Sequence, residues 1–403
     1  MIMSSRETDD AVSASWRFDG YEIALMRGLS PARARFERAL DDAGLPLPLP
    51  YRSSWAALQP VPADHWLLAI TDAAGRAAGA VGLQVAPSRA LPGHLLLRCE
   101  RLGPGVAPAA RQAALEALVA LARTNRRVLR LNVETFATDD AERETLERHV
   151  QALGFARVAT AEARCYEHTL LMALDGDEEA VFATLSRSAR RNVRSVDKNP
   201  VAVRPIEDPA LFARLDDISR ETYSRTGGTY YPADWASIVA LSRRDPAGSR
   251  LVGIFRTDVD GPESLLAYGW GCGHGDHAHY SRSGSTRARD LKVALMYPLL
   301  WDIIRWARRN GARYFDLGGV TAGHLASEDP LGGISDFKRH FTEHLVQVGA
   351  EWSFEPRRGR ARAARALSAT SSAMGRVIAI VSGALGHASD AAGDLPGALP
   401  NLT

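Results

Sequence analysis

Cysteine is scarce: Cys99, Cys165 and Cys272 are the three in 403 residues, and they lie far apart. An odd, scattered set excludes a disulfide-stapled scaffold, and the absence of any Cys-x-x-Cys pair excludes the commonest zinc and redox motifs. The expectation is reduced thiols in a cytoplasmic protein. Long apolar runs are missing too. The longest in the tail, "VIAIVSGALG", falls far short of the ~20 residues that span a bilayer. The opening "MIMSSRETDD" lacks the basic start and apolar run of a secretory signal, and reads as a disordered leader. Nor is there a large charge excess, since 49 basic and 47 acidic residues leave a formal net charge of +2. With 46% hydrophobic and 24% charged residues, the composition is that of a soluble globular protein. At 403 residues the chain exceeds what a single core organises, so two domains are expected.

What is present is a repeated order of elements. "HWLLAITDAAGRAAGAVGLQV" has two apolar runs around a Gly-containing turn and predicts a hairpin from Trp66 to Val85. "LVGIFRTDVDGPESLLAYGWGC" repeats that plan from Leu251 to Cys272. After the first hairpin come a strand, "HLLLRCERL", and a helix with Pro108 in its first turn and Leu115, Leu118, Val119 and Ala122 on one face, then a strand, "VLRLNVETF". After the second come "HAHYSRSGS", a basic loop, a helical stripe of Leu299, Leu300, Ile303, Ile304 and Ala307 ending at Asn310-Gly311, and the strand "RYFDL". Pro298 predicts a kink or fresh start in that helix. Hairpin, strand, helix, strand, twice over, predicts α/β architecture in two related modules, each with a mixed sheet covered by helices.

Between the modules "DEEAVFATLSRSARRNVRSVDKN" predicts a helix starting near Asp177, with Arg187, Arg190, Arg191, Arg194 and Lys198 in its later turns. Those cations are either a solvated face or a phosphate-facing one. In "HGDHAH", His274, His277 and His279 are within reach of a shared metal, but no second ligand cluster accompanies them, and ordinary histidines are the simpler reading. From Arg357 the chain becomes a basic, then Ala-rich tail, expected as a solvated linker or a helix docked on the body or on a membrane surface. The expected division is a leader and first helices over 1–50, a first domain over 51–165, a second over 166–356, and the tail over 357–403.

Four stretches of the second half carry a resemblance: "LSRSARRNVRSV", "ETYSRTGGTYY", "YFDLGG" and "GISDFKRHF". "RLGPGV" and the "LGF" at Leu153 add to it in the first half. In this order they look like the FemABX family of aminoacyl-tRNA-dependent peptidyl transferases, whose fold is two GNAT-like acyltransferase domains in tandem. The resemblance covers most of residues 50 to 355. The coiled-coil arm of some members has no heptad counterpart here. Such enzymes, the resemblance implies, pass an amino acid from charged tRNA to an amine, often on a peptidoglycan precursor, and use no coenzyme A. By the same resemblance Arg225 falls in the segment that holds acceptor phosphates, with Thr229 standing where relatives tend to have an aromatic.

The residues supply an independent test of the donor. Acyl-CoA pyrophosphate is usually held by free backbone N–H groups of a Gly-rich turn at a helix start. Here Pro104 removes a donor from the first such loop, and "STRARDLKVAL" has no glycine in the second. Arg287, Arg289 and Lys292 offer charged side chains there instead, suited to phosphate. In "YFDLGGVTAGHLASEDPLGGISDFKRHF", Asp316 ends a strand before Gly318-Gly319, a loop follows, and Lys338 is expected on the next strand between Phe337 and Phe341. Lys338 is the candidate for stabilising negative charge in an acyl-transfer transition state. Asp316 either orients the amine, accepts its proton, or caps the Gly-Gly turn. Tyr231 and Tyr280 line the same cleft or pack in the core. A tandem acyl-CoA N-acyltransferase and a noncatalytic binding module stand as the competing readings.

Overall fold

A computed structural model describes residues 12–59, 65–160, 162–226, 230–287, 290–320 and 332–367. Seven strands come first: β1 (Val12–Phe18), β2 (Tyr21–Arg27), β3 (His65–Thr71), β4 (Ala77–Pro87), β5 (Leu95–Leu102), β6 (Val128–Thr135) and β7 (Ala156–Arg157). Then come β8 (His168–Ala173), β9 (Val201–Pro205), β10 (Ser249–Arg256), β11 (Leu265–Gly273), β12 (His277–Ser285), β13 (Tyr314–Gly319), β14 (Leu345–Gln347) and β15 (Glu351–Phe354). They form two sheets, ordered β1-β2-β3-β4-β5-β6-β15-β7 and β14-β8-β13-β12-β11-β10-β9.

The repeat expected from the sequence is in both. β3-β4-β5 and β10-β11-β12 are antiparallel meanders, and each ends in a parallel partner, β6 or β13, reached through a helix. The first of these helices, Arg111–Thr124, buries Leu115, Leu118, Val119 and Ala122. The second, Met296–Arg309, lays Leu299, Leu300, Ile303, Ile304 and Ala307 on the sheet, each at most 1% exposed. It sits close because β11 carries glycine beneath it: a Cβ on Gly269 would come within 2.2 Å of Leu299 Cδ2, and one on Gly271 within 2.4 Å of Ile303 Cγ2.

Three expectations are corrected. In place of a leader running into helices, residues 12–27 form the β1-β2 hairpin, with the Pro31–Asp42 helix following. β15, expected in the second domain, returns to pair with β6 and β7 of the first sheet. Of the two expectations for Pro298 the fresh start holds: the helix begins at Met296, and as its third residue Pro298 has no intrahelical acceptor to lose. The linking helix is two: Glu178–Thr184, capped by Asp177, and Arg187–Val193, capped by Ser186. Arg190 donates to the carbonyls of Ala183 and Leu185, and Arg194 lies over the Phe182 ring, so these two cations serve the junction. The tail begins docked rather than solvated. Arg357 and Arg360 donate to the carbonyls of Arg123, Asn125 and Arg126 at the C-terminal end of the Arg111–Thr124 helix, where cations meet the negative end of the dipole. Residues 368–403 lie outside the described residues. No helix among the described residues is long and apolar enough to cross a membrane.

Candidate functional site

The site begins where two parallel strands part. β12 and β13 pair only over His277 to His279 against Tyr314 to Asp316. Beyond that point β12 continues to Ser285 and β13 to Gly319 without bonding to each other. In the first sheet β5 and β6 stay paired from Leu95 to Leu102, across two irregularities, one at each end. The parting in the second sheet is occupied by a cavity of about 660 Å³, lined by Tyr280 to Ser285 of β12, Gly318 and Gly319 of β13, Arg225, Phe337 and Lys338. From the first module Arg98, Glu100, Arg101 and Glu134 close it. Strands that diverge expose backbone and side chains to a ligand at their C-terminal ends, the usual site of chemistry in α/β sheets.

Lys338 stands not on a strand but in the last turn of a short helix, Gly332–Arg339. Phe337 and Phe341 both pack on Tyr297, at ring distances of 4.9 and 5.7 Å, and Tyr297 Oη meets His340 Nδ1 at 2.5 Å. That aromatic clasp fixes the helix end and aims the lysine inward. Its side chain is nearly enclosed, the residue being 7% exposed, and Nζ donates to the Gly319 carbonyl at 2.7 Å. An ammonium has three donors. The other two have no partner among the described residues. Burial lowers its pKa to about 8, with the Asp316 carboxylate opposing.

Asp316 lies behind the cavity and is fully buried. Oδ2 accepts from Arg101 at 2.8 Å and from the Tyr166 hydroxyl at 2.7 Å; Oδ1 accepts from the Gly318 N–H at 2.7 Å and meets the Thr169 hydroxyl. Burial pushes its carboxyl up, but Arg101, His279 and the hydroxyls of Thr169 and Tyr166 outweigh it and hold it well below the usual carboxylate range. The capping of the Gly-Gly turn is therefore present. Gly318 has φ +75°, a left-handed backbone that the Asp316 bond secures.

Arg101 is the first module's main contribution. Its backbone is left-handed, φ +53°, where the β5 pairing is irregular between Cys99 and Leu102. Such a bulge re-aims a side chain, and here the guanidinium crosses to Asp316 of the other sheet, lying 4.5 Å over the Phe136 ring on the way. Glu134, at the end of β6, opens on the same cavity, and burial raises its pKa to about 7, the Arg101 charge opposing.

Of the residues singled out from sequence, Lys338, Arg225 and Tyr280 come together. Arg225 holds the Ser285 carbonyl through both terminal nitrogens at 3.2 Å. The Tyr280 hydroxyl is buried with no partner at bonding distance among the described residues, and burial pushes its pKa up, with Ser283 opposing. Tyr231 is 66% exposed and does not line the cavity. Arg287 and Lys292 are exposed and do not line it either; Arg289, Gly227, Gly228 and Thr229 lie outside the described residues. Sequence reasoning missed Arg101 and Glu134. The only local signal was "RLGPGV" itself, which contains Arg101. Among the described residues no group of three or more His, Cys, Asp or Glu is placed to hold a metal.

The family profile described as "Acetyltransferase (GNAT) domain" matches residues 183–339. The crystal structure of FemX superposes with a TM-score of 0.62 at 14% identity, covering 82% of this chain and 97% of that one. L-PGS from Bacillus licheniformis gives 0.49 at 11% identity over 85% and 98% of the two chains. A tandem GNAT protein from the clavulanic acid biosynthesis pathway gives 0.45 at 15% identity over 83% and 98%. A comparison with curated proteins yields no match. The chain thus has two tandem GNAT-like domains, an acyltransferase fold that it shares with FemX.

Proposed function

We propose that this protein moves an aminoacyl group from charged tRNA to an amine in the cavity where β12 and β13 part, without coenzyme A. The observation that carries the reading is Lys338: a nearly enclosed ammonium, held by Gly319 and with two donors unpartnered among the described residues, in a cavity also lined by Arg225. The FemX-like fold supports it.

The amine nitrogen attacks the ester carbonyl carbon, a C–N bond forms, the C–O bond to the ribose breaks, and the amine's proton ends on the departing ribose oxygen. Lys338 meets the carbonyl oxygen as it gains negative charge, in surroundings that keep water from screening it. Glu134 accepts the proton, since it faces the cavity and is half ionised near neutral pH. Asp316 is the anchor of the Gly318-Gly319 turn, through the Gly318 N–H, and of Arg101, not the base. Arg225 suits a phosphate of the acceptor, a peptidoglycan precursor or a natural-product amine. The exposed Arg287 and Lys292, with Arg289, extend that charge toward the tRNA terminus. We place the protein in the cytoplasm, with its C-terminal tail reaching a membrane surface if the acceptor is lipid-borne.

The match to an acetyltransferase profile makes acyl-CoA the second donor to test. Purified protein is given a mixture of charged tRNAs and amine acceptors, with and without ribonuclease, and separately acetyl-CoA. Amide formation that ribonuclease abolishes supports the reading. Tight stoichiometric CoA binding by calorimetry, or turnover indifferent to ribonuclease, overturns it in favour of acyl-CoA; binding without transfer from either donor points to a noncatalytic module.

A further inference from the structure

The histidines of "HGDHAH" have no part in that scheme, yet their hydrogen bonds fix where each proton sits. The backbone N–H of Leu49 points at His274 Nδ1 from 3.1 Å. A peptide nitrogen can only donate, so Nδ1 carries the lone pair and the His274 proton is on Nε2. That nitrogen lies 2.6 Å from His279 Nδ1, to which it donates. His279 Nδ1 is therefore an acceptor, and its own proton is on Nε2. His277 is fixed separately: Arg101 reaches its Nε2 at 3.3 Å and Asp276 takes its Nδ1 proton at 3.1 Å. His279 Nε2 has no partner among the described residues, while the ring lines the cavity.

We infer that His279 is a fixed N–H donor to an oxygen of the bound substrate, its tautomer imposed by the Leu49 backbone through His274. This rests on the reading of the cavity as the transfer site. The arrangement makes His279 the opposite of a general base, because Nδ1 is taken by His274 and Nε2 already carries the proton. It also stays neutral. Burial first, then the Arg101 guanidinium and His277, lower its pKa to about 3 against the pull of Asp316, and His274 beside it is held low by burial and by its two histidine neighbours. A neutral donor beside Lys338 and Arg225 adds hydrogen bonding without adding a further cation. His274 is the positioning residue.

The test combines nitrogen NMR of selectively labelled histidine with kinetics. In the free protein, both His274 and His279 should show protonated Nε2 and bare Nδ1, unchanged from about pH 5 to pH 9. His274→Ala should release His279 to a mixture of tautomers. His279→Ala should lose about tenfold to a hundredfold in kcat/KM with the shape of the pH profile kept. His279→Gln, whose amide can present an N–H at similar reach, should recover most of it, and His279→Glu should not. A protonated Nδ1 on His279, or full activity in folded His279→Ala, overturns the inference while leaving the transfer reading intact. Correct tautomers with no transfer from charged tRNA by the wild type overturn the transfer reading and the substrate half of the inference with it.

Discussion

Replacing Asp316 by Asn changes one atom and should cost the fold far more than it costs the chemistry. Asp316 is fully buried and pairs with Arg101, whose side chain is 10% exposed. Removing one partner of a buried ion pair leaves an uncompensated charge and typically costs about 3–5 kcal/mol. The lower end applies here, because Arg101 keeps the Phe136 ring and feels Glu134. The amide nitrogen must also face a pair of hydrogen-bond donors where an oxygen accepted before. About 3 kcal/mol, at ~2–4 °C per kcal/mol for a cooperative unit of this size, corresponds to a fall of about 6–12 °C in melting temperature. The pH dependence has a fixed sign. The folded-state pKa is depressed, so the contribution is present above the unfolded value of about 4 and lost as pH falls below it. The gap between wild type and Asp316→Asn should therefore be constant near neutrality and close under acid. Calorimetric melts of both proteins, with turnover measured per folded molecule, decide the matter. A variant that melts with the wild type yet has lost turnover refutes the anchoring role and returns Asp316 to the reaction.

Two further outcomes follow from the cavity. The plot of kcat/KM against pH should be bell-shaped: it rises through about 7 as Glu134 ionises and falls above about 8 as Lys338 loses its proton. Glu134→Gln should remove the rising limb, and an unchanged limb would exclude Glu134 as the proton acceptor. Arg225→Ala should raise KM for a phosphate-bearing acceptor by about tenfold to a hundredfold and weaken its salt dependence; an unchanged KM would remove Arg225 from acceptor binding.

The meanders, their helices and the parallel closing strands were legible because each element carries its own periodicity: Leu299, Leu300, Ile303 and Ile304 can only be one helix face. The β1-β2 hairpin was legible but unread. Asp19-Gly20, both at positive φ, separates "VSASWRF" from "YEIALMR", a common hairpin turn signal. The Lys338 helix was read as a strand since eight residues between loops give little period, although buried Ser335 and Lys338 are spaced three apart as on a helix. What brings them inward is Tyr297, some forty residues away in sequence and invisible to any local pattern. Arg101 and β15 were hidden for the same reason. Arg101 matters through Asp316 and β15 through β6, and both pairings are non-local.

The account stands most directly on Lys338, a cation that should bind the transition state better than the ground state. The measurement is single-turnover transfer from charged tRNA to acceptor by Lys338→Ala, with a thermal melt of the same preparation. The expected result is a loss of about a hundredfold to a thousandfold in rate, with substrate affinity little changed and Lys338→Arg still impaired because a guanidinium fork cannot take the ammonium's place. Transfer by Lys338→Ala at the wild-type rate would contradict the account.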